Sequence, residues 1–369
     1  MNAARALAVA RKELIQIRRD PLSMALAFLL PLMLLFIFGY AISMDINHIK
    51  TVVCDRDSSP ESRLVINSLS ATGYFTITGY ERDCGKIDRY LDFGRARVAI
   101  VIPGDFSSAL KTGKTAEAQA IVDGSDANTA TIAVGYLTAA SELVAGRLSG
   151  ARLKPAVEPR VRVWYNEDLK SRNFIIPGLI AVIMAVIAAL LTSLTIAREW
   201  ERGTMEQLIS TPVKTPELIL GKLIPYFLIG FVDVLFAALA TIFIFGVELK
   251  GSAILLMALS SLFLFGSLSL GILISGAAKN QLAASQVALV STFLPAFILS
   301  GFMFSILNMP YAIQLVTHVI PAKYFVAILK GIFLKGSGLN LLMTEAAVLL
   351  VFGAAVFGAA NAAFKKRMG

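Results

Sequence analysis

Long apolar runs along this chain alternate with short charged connections. Runs at about 22–44, 174–196, 218–246, 253–276, 282–304 and 341–364 each reach the ~20 residues needed to cross a hydrocarbon core of about 30 Å. Residues 1–20 repeat with a helical period. Ala3, Ala6, Leu7, Ala10, Leu14 and Ile17 fall on one arc, Arg5, Lys12, Gln16 and Arg19 lie opposite, and Arg11 and Arg18 flank the stripe. The pattern predicts an amphipathic surface helix, although the same residues also suit a purely basic topology signal. Asp20-Pro21 ends it, because the residue before proline is pushed out of the α region. The run at 22–44 is too long for the h-region of a cleaved signal peptide, so it reads as an uncleaved anchor.

Residues 45–172 have the texture of a soluble domain. Short apolar stretches at 51–54, 98–102, 118–122 and 161–165 predict strands, and 59–70, 83–91 and 128–148 predict helices. An α/β or α+β module of this size can bury its own core. Beyond it, the turn at 277–281 makes a tight hairpin of the fourth and fifth spans. The stretch at about 308–336 is apolar but interrupted by Lys323, Lys330 and Lys335, which fits two half-length helices dipping into one leaflet. The predicted fold class is a membrane α-helical protein: an N-terminal amphipathic helix, six spans, and an α/β domain inserted between the first two. The domain boundaries are 1–20, 22–44, 45–172 and 173–369.

Composition agrees with this pattern. Apolar residues make up 56% of the chain and charged ones 16%, whereas ordinary soluble domains have about 25% charged residues. The net charge of +9 lies largely at span ends, where it sets orientation, and no basic patch interleaved with aromatics points to nucleic acid. Arg5, Arg11, Lys12, Arg18 and Arg19 at one end and Lys365, Lys366 and Arg367 at the other put both termini in the cytoplasm of an inner membrane. The domain at 45–172 is then periplasmic.

The sequence has no Walker A loop, GxSxG elbow, CxxC or HExxH, so neither its own nucleotide site nor enzymatic catalysis is expected. His48 and His318 lack metal-ligand spacing, and no cofactor is implied. Cys54 and Cys84 fall in the extracytoplasmic domain, where a disulfide can form, although the sequence alone favours two free, partly buried thiols. Asp233 stands in the middle of a span. It reads either as a pathway residue or as a structural carboxyl bonded to a neighbouring helix. Pro31, Pro177, Pro225 and Pro295 mark kinks.

The connection from Ala197 to Pro216 carries the most information. It is densely charged (Glu199, Glu201, Arg202, Glu206) and sits directly between two spans. Gly203 permits a turn, Thr204 with Gln207 forms a capping-box pattern, and Pro212 ends the short helix. Thr215 is then expected to cap the next helix. A rigid helix fixed between two spans can pass a partner's motion into the bilayer.

Several segments resemble the permease subunits of type-2 ABC exporters, in the bacterial drug-export branch with a large domain between the first two spans. They are Arg18-Arg-Asp-Pro21, Asp123-Gly-Ser-Asp-Ala-Asn-Thr-Ala130, Phe174-Ile-Ile-Pro-Gly178, Ala197-Arg-Glu-Trp-Glu-Arg-Gly-Thr-Met-Glu-Gln-Leu208, Leu299-Ser-Gly-Phe-Met-Phe304 and Ile320-Pro-Ala-Lys-Tyr-Phe325. The resemblance implies that about 198–212 is a coupling helix docking on a separate ABC ATPase, with Glu199, Glu201, Arg202, Gly203, Thr204 and Glu206 in that role. It also implies re-entrant outer helices at about 308–336, a second permease subunit, identical or paralogous, and a periplasmic adaptor with an outer-membrane channel. The expected function is ATP-driven efflux of hydrophobic or amphiphilic, drug-like compounds. Export of an ion such as sodium or of a lipid-linked molecule is the alternative within transport, and a non-transporting membrane scaffold or sensor the alternative outside it.

Overall fold

The structure, a computed structural model, describes residues 2–41, 48–125, 127–148 and 170–368. The chain divides into two compact units, Met44–Arg162 and the remainder.

Helix α1 (Ala3–Arg19) starts where the Asn2 side chain accepts the Ala4 N–H, and Asp20, held extended before Pro21, ends it. The chain continues as α2 (Pro21–Met24), a π-helical turn (Ala25–Leu29) and α3 (Leu30–Ala41). The first expected span is therefore helical from its start to Ala41. Residues 42–47, where it was expected to end, lie outside the described residues.

The inserted unit holds β1 (Ile49–Asp55), α4 (Pro60–Ala71), β2 (Phe75–Glu81), α5 (Ile87–Asp92), β3 (Val98–Ile102), α6 (Phe106–Lys111), β4 (Gln119–Val122) and α7 (Ala127–Leu148). Strand order is β2-β1-β3-β4. β1 runs parallel to β2 and β3, while β4 returns antiparallel with Ala99 opposite Ile121. Alternation along the strands divides the core. Ile49, Val53, Val98 and Ile100 face α4, α6 and α7 through Val65, Leu69, Phe106 and Val144. Val52, Cys54 and Ala99 face Ile87 on α5. On that second face Cys54 and Cys84 form a disulfide, their Cα atoms 5.6 Å apart. The expected strand at 161–165 lies outside the described residues.

In the other unit, α8 (Ser171–Glu201) is nearly all buried from Ile175 to Leu191. After α9 (Thr204–Ile209) come α10 (Thr215–Phe243), α11 (Ala253–Ala278), α12 (Gln281–Ile298), α13 (Tyr311–Thr317), α14 (Pro321–Lys330) and α15 (Met343–Met368). Among the described residues five helices, α8, α10, α11, α12 and α15, are long and apolar enough to cross a membrane. α13 and the helix begun by α14 meet at 81°, so the stretch at 308–336 is a bent pair of short helices. The expected span at 282–304 is shorter than its apolar run. α12 stops at Ile298, and Gly301, at φ +76°, turns the chain in a conformation that costs other residues steric strain.

Candidate functional site

The polar end of α8 is built from the inside out. Glu199, in the last turn of α8, is only 3% exposed. Its Oε1 accepts from Lys12 Nζ of α1 at 2.6 Å and lies 3.5 Å from Lys222 Nζ of α10. Its other oxygen accepts from the Thr204 hydroxyl at the start of α9. Lys222, 1% exposed, also pairs with Glu13 of α1. Two lysines and two glutamates thus form a neutral cluster joining α1, α8 and α10, with Thr204 tying in α9, and Glu13, Glu199 and Lys222 lie at a depth where an unpaired charge would be strongly unfavourable.

The periphery repeats the pattern. Arg198 reaches Asp20 at 3.2 Å and the Gln281 amide oxygen at 3.3 Å. Glu201 accepts from the Gln281 backbone N–H at 2.8 Å and from its side chain. Glu217 accepts from the backbone N–H groups of Asn2 (2.7 Å) and Lys214 (3.0 Å), and Arg5 donates to the Pro212 carbonyl at 2.6 Å. The start of α1 is therefore tied to the connection that follows α9.

Close backbone approach makes this geometry possible. Gly221 sits under α1, where a Cβ would lie 2.6 Å from Val9 Cβ and 2.7 Å from the Ala6 carbonyl oxygen. The packed ridge of α1 is Ala6, Val9, Ala10, Glu13 and Ile17, while Leu7 and Leu14 are exposed. This corrects the single apolar arc expected from sequence: small residues and one buried carboxylate face α10, and the leucines face away from it.

The expected charged helix at 198–212 divides at Gly203, whose φ of +67° breaks the axis. Glu199 and Glu201 belong to α8, and α9 itself is only six residues long. Thr204 does not form the expected capping box. Gly203 is the N-cap without a side-chain hydrogen bond, which puts Thr204 one position inside the helix, and the Thr204 hydroxyl donates to the Glu199 carboxylate in a charge-assisted bond. Nor does Thr215 cap α10. Lys214 holds that position, with Glu217 reaching back to its N–H. Met205, 1% exposed, anchors α9 inward, whereas Glu201, Arg202, Gly203 and Glu206 are exposed.

Of the other singled-out residues, Asp233 lies about 16 Å further along α10 at 1.5 Å per residue. It is 4% exposed, and its Oδ2 has no hydrogen-bond partner among the described residues. Cys54 and Cys84 belong to the inserted unit. Sequence reasoning missed Glu13 and Lys222. Both carry a readable sign: Glu13 interrupts the 3-4-3-4 spacing of Ala6, Val9 or Ala10, and Ile17, and Lys222 stands inside an apolar run. Among the described residues no group of three or more metal-ligating side chains converges. What the arrangement offers is a buried, hydrogen-bonded root beneath an exposed charged knuckle.

A profile described as ABC-2 family transporter protein matches residues 22–362. The chain is 41% identical over 337 residues to the probable multidrug ABC transporter permease YbhS of Escherichia coli K12, covering 90% of this chain and 89% of that one. It is 30% identical over 362 residues to YbhR of the same organism, also named a probable multidrug ABC transporter permease, covering 97% of each. The linearmycin resistance permease protein LnrN of Bacillus subtilis is 22% identical over 381 residues, covering 96% of this chain and 97% of that one.

Proposed function

The chain belongs to the ABC-2 family of transporter proteins, and we propose that it is a drug-efflux permease driven by a separate ABC ATPase that docks on the knuckle formed by Glu201, Arg202, Gly203 and α9. The cargo is hydrophobic or amphiphilic. The observation that carries the coupling is the contrast within one short segment: Arg202 and Glu206 are exposed, while Thr204 and Met205 are fixed to the bundle. A push on the exposed side chains has a stiff path to α8, α10 and α1. Rigid-body rearrangement of helices about such a joint is an established way to switch between states.

In this reading the helical stretch 21–41 and the five long helices make six spans of an inner-membrane protein. α13 and α14 re-enter from the outer side, and both termini and α9 are cytoplasmic. The unit 44–162 is then periplasmic, where a disulfide persists and an adaptor with its outer-membrane channel can dock. A second permease subunit completes the complex.

The test is purification of the full chain from its native membrane, comparing wild type with Arg202→Glu/Glu206→Lys. Both side chains are exposed, so charge reversal leaves the buried cluster in place. Recovery of an ATP-hydrolysing subunit with wild type and its loss with the variant is expected. Equal recovery with both would place the docking surface elsewhere.

A further inference from the structure

Among the described residues, the core of the inserted unit is not closed. Between the β3–β4 half of the sheet and helices α4, α6 and α7 lies a cavity of about 830 Å³. Its walls are core side chains, among them Leu69, Ile100, Phe106, Leu137 and Val144. Polar groups gather at its mouth. Lys114, Thr115 and Glu117 come from the irregular segment joining α6 to β4, and Thr138 and Ser141 from the exposed side of α7. Small-molecule sites are typically concave, mostly apolar and about 300–1,000 Å³, with a few polar groups that fix orientation. Packed protein interiors, by contrast, rarely leave voids much larger than a water.

We propose that this cavity is a binding site for a compact amphiphile, seated with its apolar body against Phe106 and Leu137 and its polar end at the mouth. Lys114 and Glu117 place opposite charges a few residues apart there, so the mouth presents no net charge to a head group. A neutral or zwitterionic head fits this arrangement, and a net-charged one gains from one residue what it loses to the other. Entry opens past Thr138 and Ser141, whose hydroxyls already donate to the backbone carbonyls of Val134 and Thr138 and retain lone pairs for a ligand's donor. Only the identity of the ligand, as an exported compound, rests on the efflux reading; the site itself does not.

The experiment uses the full chain in lipid nanodiscs and three photoreactive probes of equal length. Each is a diazirine-bearing alkyl chain, ending in a hydroxyl, a carboxylate or an ammonium group. Crosslinked peptides are mapped by mass spectrometry, and labelling within the long apolar helices serves as internal reference. The hydroxyl probe should label peptides of α6, the 112–118 segment and α7, at least about threefold above either charged probe. Thr138→Trp/Ser141→Trp, which fills the mouth from two exposed positions, should lower that labelling about fivefold while leaving the reference unchanged. Labelling confined to the long helices would overturn the proposal, as would cavity labelling that the double tryptophan variant leaves intact. A charged probe labelling best would overturn the head-group assignment. Because the readout needs no ATPase, cavity labelling combined with no ATPase recovered from the native membrane would overturn the ATPase-driven efflux reading and leave the site standing.

Discussion

Lys222 carries more consequence than any other single side chain, because it is a cation 1% exposed that serves two carboxylates on different helices. Replacing it leaves Glu13 without a counter-charge, and breaking one partner of a buried pair costs about 3–5 kcal/mol. Lys222→Met should therefore lower the thermal unfolding midpoint in nanodiscs markedly. Adding Glu13→Gln should restore most of the loss, since the orphaned charge goes with it. A single variant melting with wild type would show the cluster to be structurally idle. In the inserted unit, Asp123 accepts the Ser125 N–H at 3.0 Å and pairs with Arg97. Those contacts, the Ser125 hydrogen bonds foremost, hold its carboxyl down at about 2. A folded value below the unfolded one of about 3.9 means that the stabilisation is complete above about pH 4 and vanishes as pH falls toward 2. Protection factors of the β3–β4 amides, measured by hydrogen exchange in the full chain, should fall through that window. In Asp123→Asn they should start lower and lose that dependence.

At the scale of elements, the contact of α1 with α10 depends on one missing side chain. A Cβ at Gly221 would press 2.6 Å from Val9 Cβ, so Gly221→Leu should lift α1 off while α10 stays folded. Limited trypsinolysis at Arg11 and Arg18 should then quicken about tenfold, equivalent to about 1.4 kcal/mol of local opening. An unchanged cleavage rate would mean that α1 is held by its charged residues alone. Cys54–Cys84 closes a separation of 30 residues, which on the chain-entropy model is worth about 3–4 kcal/mol. Cys54→Ala/Cys84→Ala should accordingly lower amide protection across β1 and α5. The long helices were legible because apolar length and breakers decide them: α8, α10 and α11 match their runs to within a few residues at most ends. β2 was not foreseen. It is an edge strand in which Phe75 is buried and the positions beyond it alternate only between half-buried and exposed, too weak a pattern beside its threonines and glycine. The caps at Thr204 and Thr215 were misplaced for a different reason. A local motif reads only its own neighbours, and here each cap sits one residue earlier, at Gly203 and at Lys214, where Glu217 reaches back to the Lys214 N–H while Thr204 donates to Glu199. Glu13 showed its position by interrupting the apolar ridge, but not its partner, which lies 209 residues away in the sequence.

For the whole molecule, the cluster separates two roles that the resemblance to ABC permeases merges. In the proposed coupling, docking falls to the exposed face, Arg202 and Glu206, and transmission to the root, where Thr204 and Lys12 hold Glu199. Motion imposed on α9 moves α8 and α10 only if the root is stiffer than the short turn at Gly203. Thr204→Val/Lys12→Met keeps the Lys222 pairs but removes both bonds that fix the Glu199 carboxylate to α9 and α1. That variant should still recover the ATPase and hydrolyse ATP within about twofold of wild type, while efflux of a fluorescent amphiphile from inverted or whole-cell preparations falls about tenfold, a coupling loss of about 1.4 kcal/mol. Arg202→Glu/Glu206→Lys should instead lose the ATPase and efflux together. If the root variant also sheds the ATPase, its bonds shape the docking surface and do not transmit. If it transports normally, force reaches the spans through the backbone of α8 alone, and the two lysines of the cluster serve only to bury their glutamates.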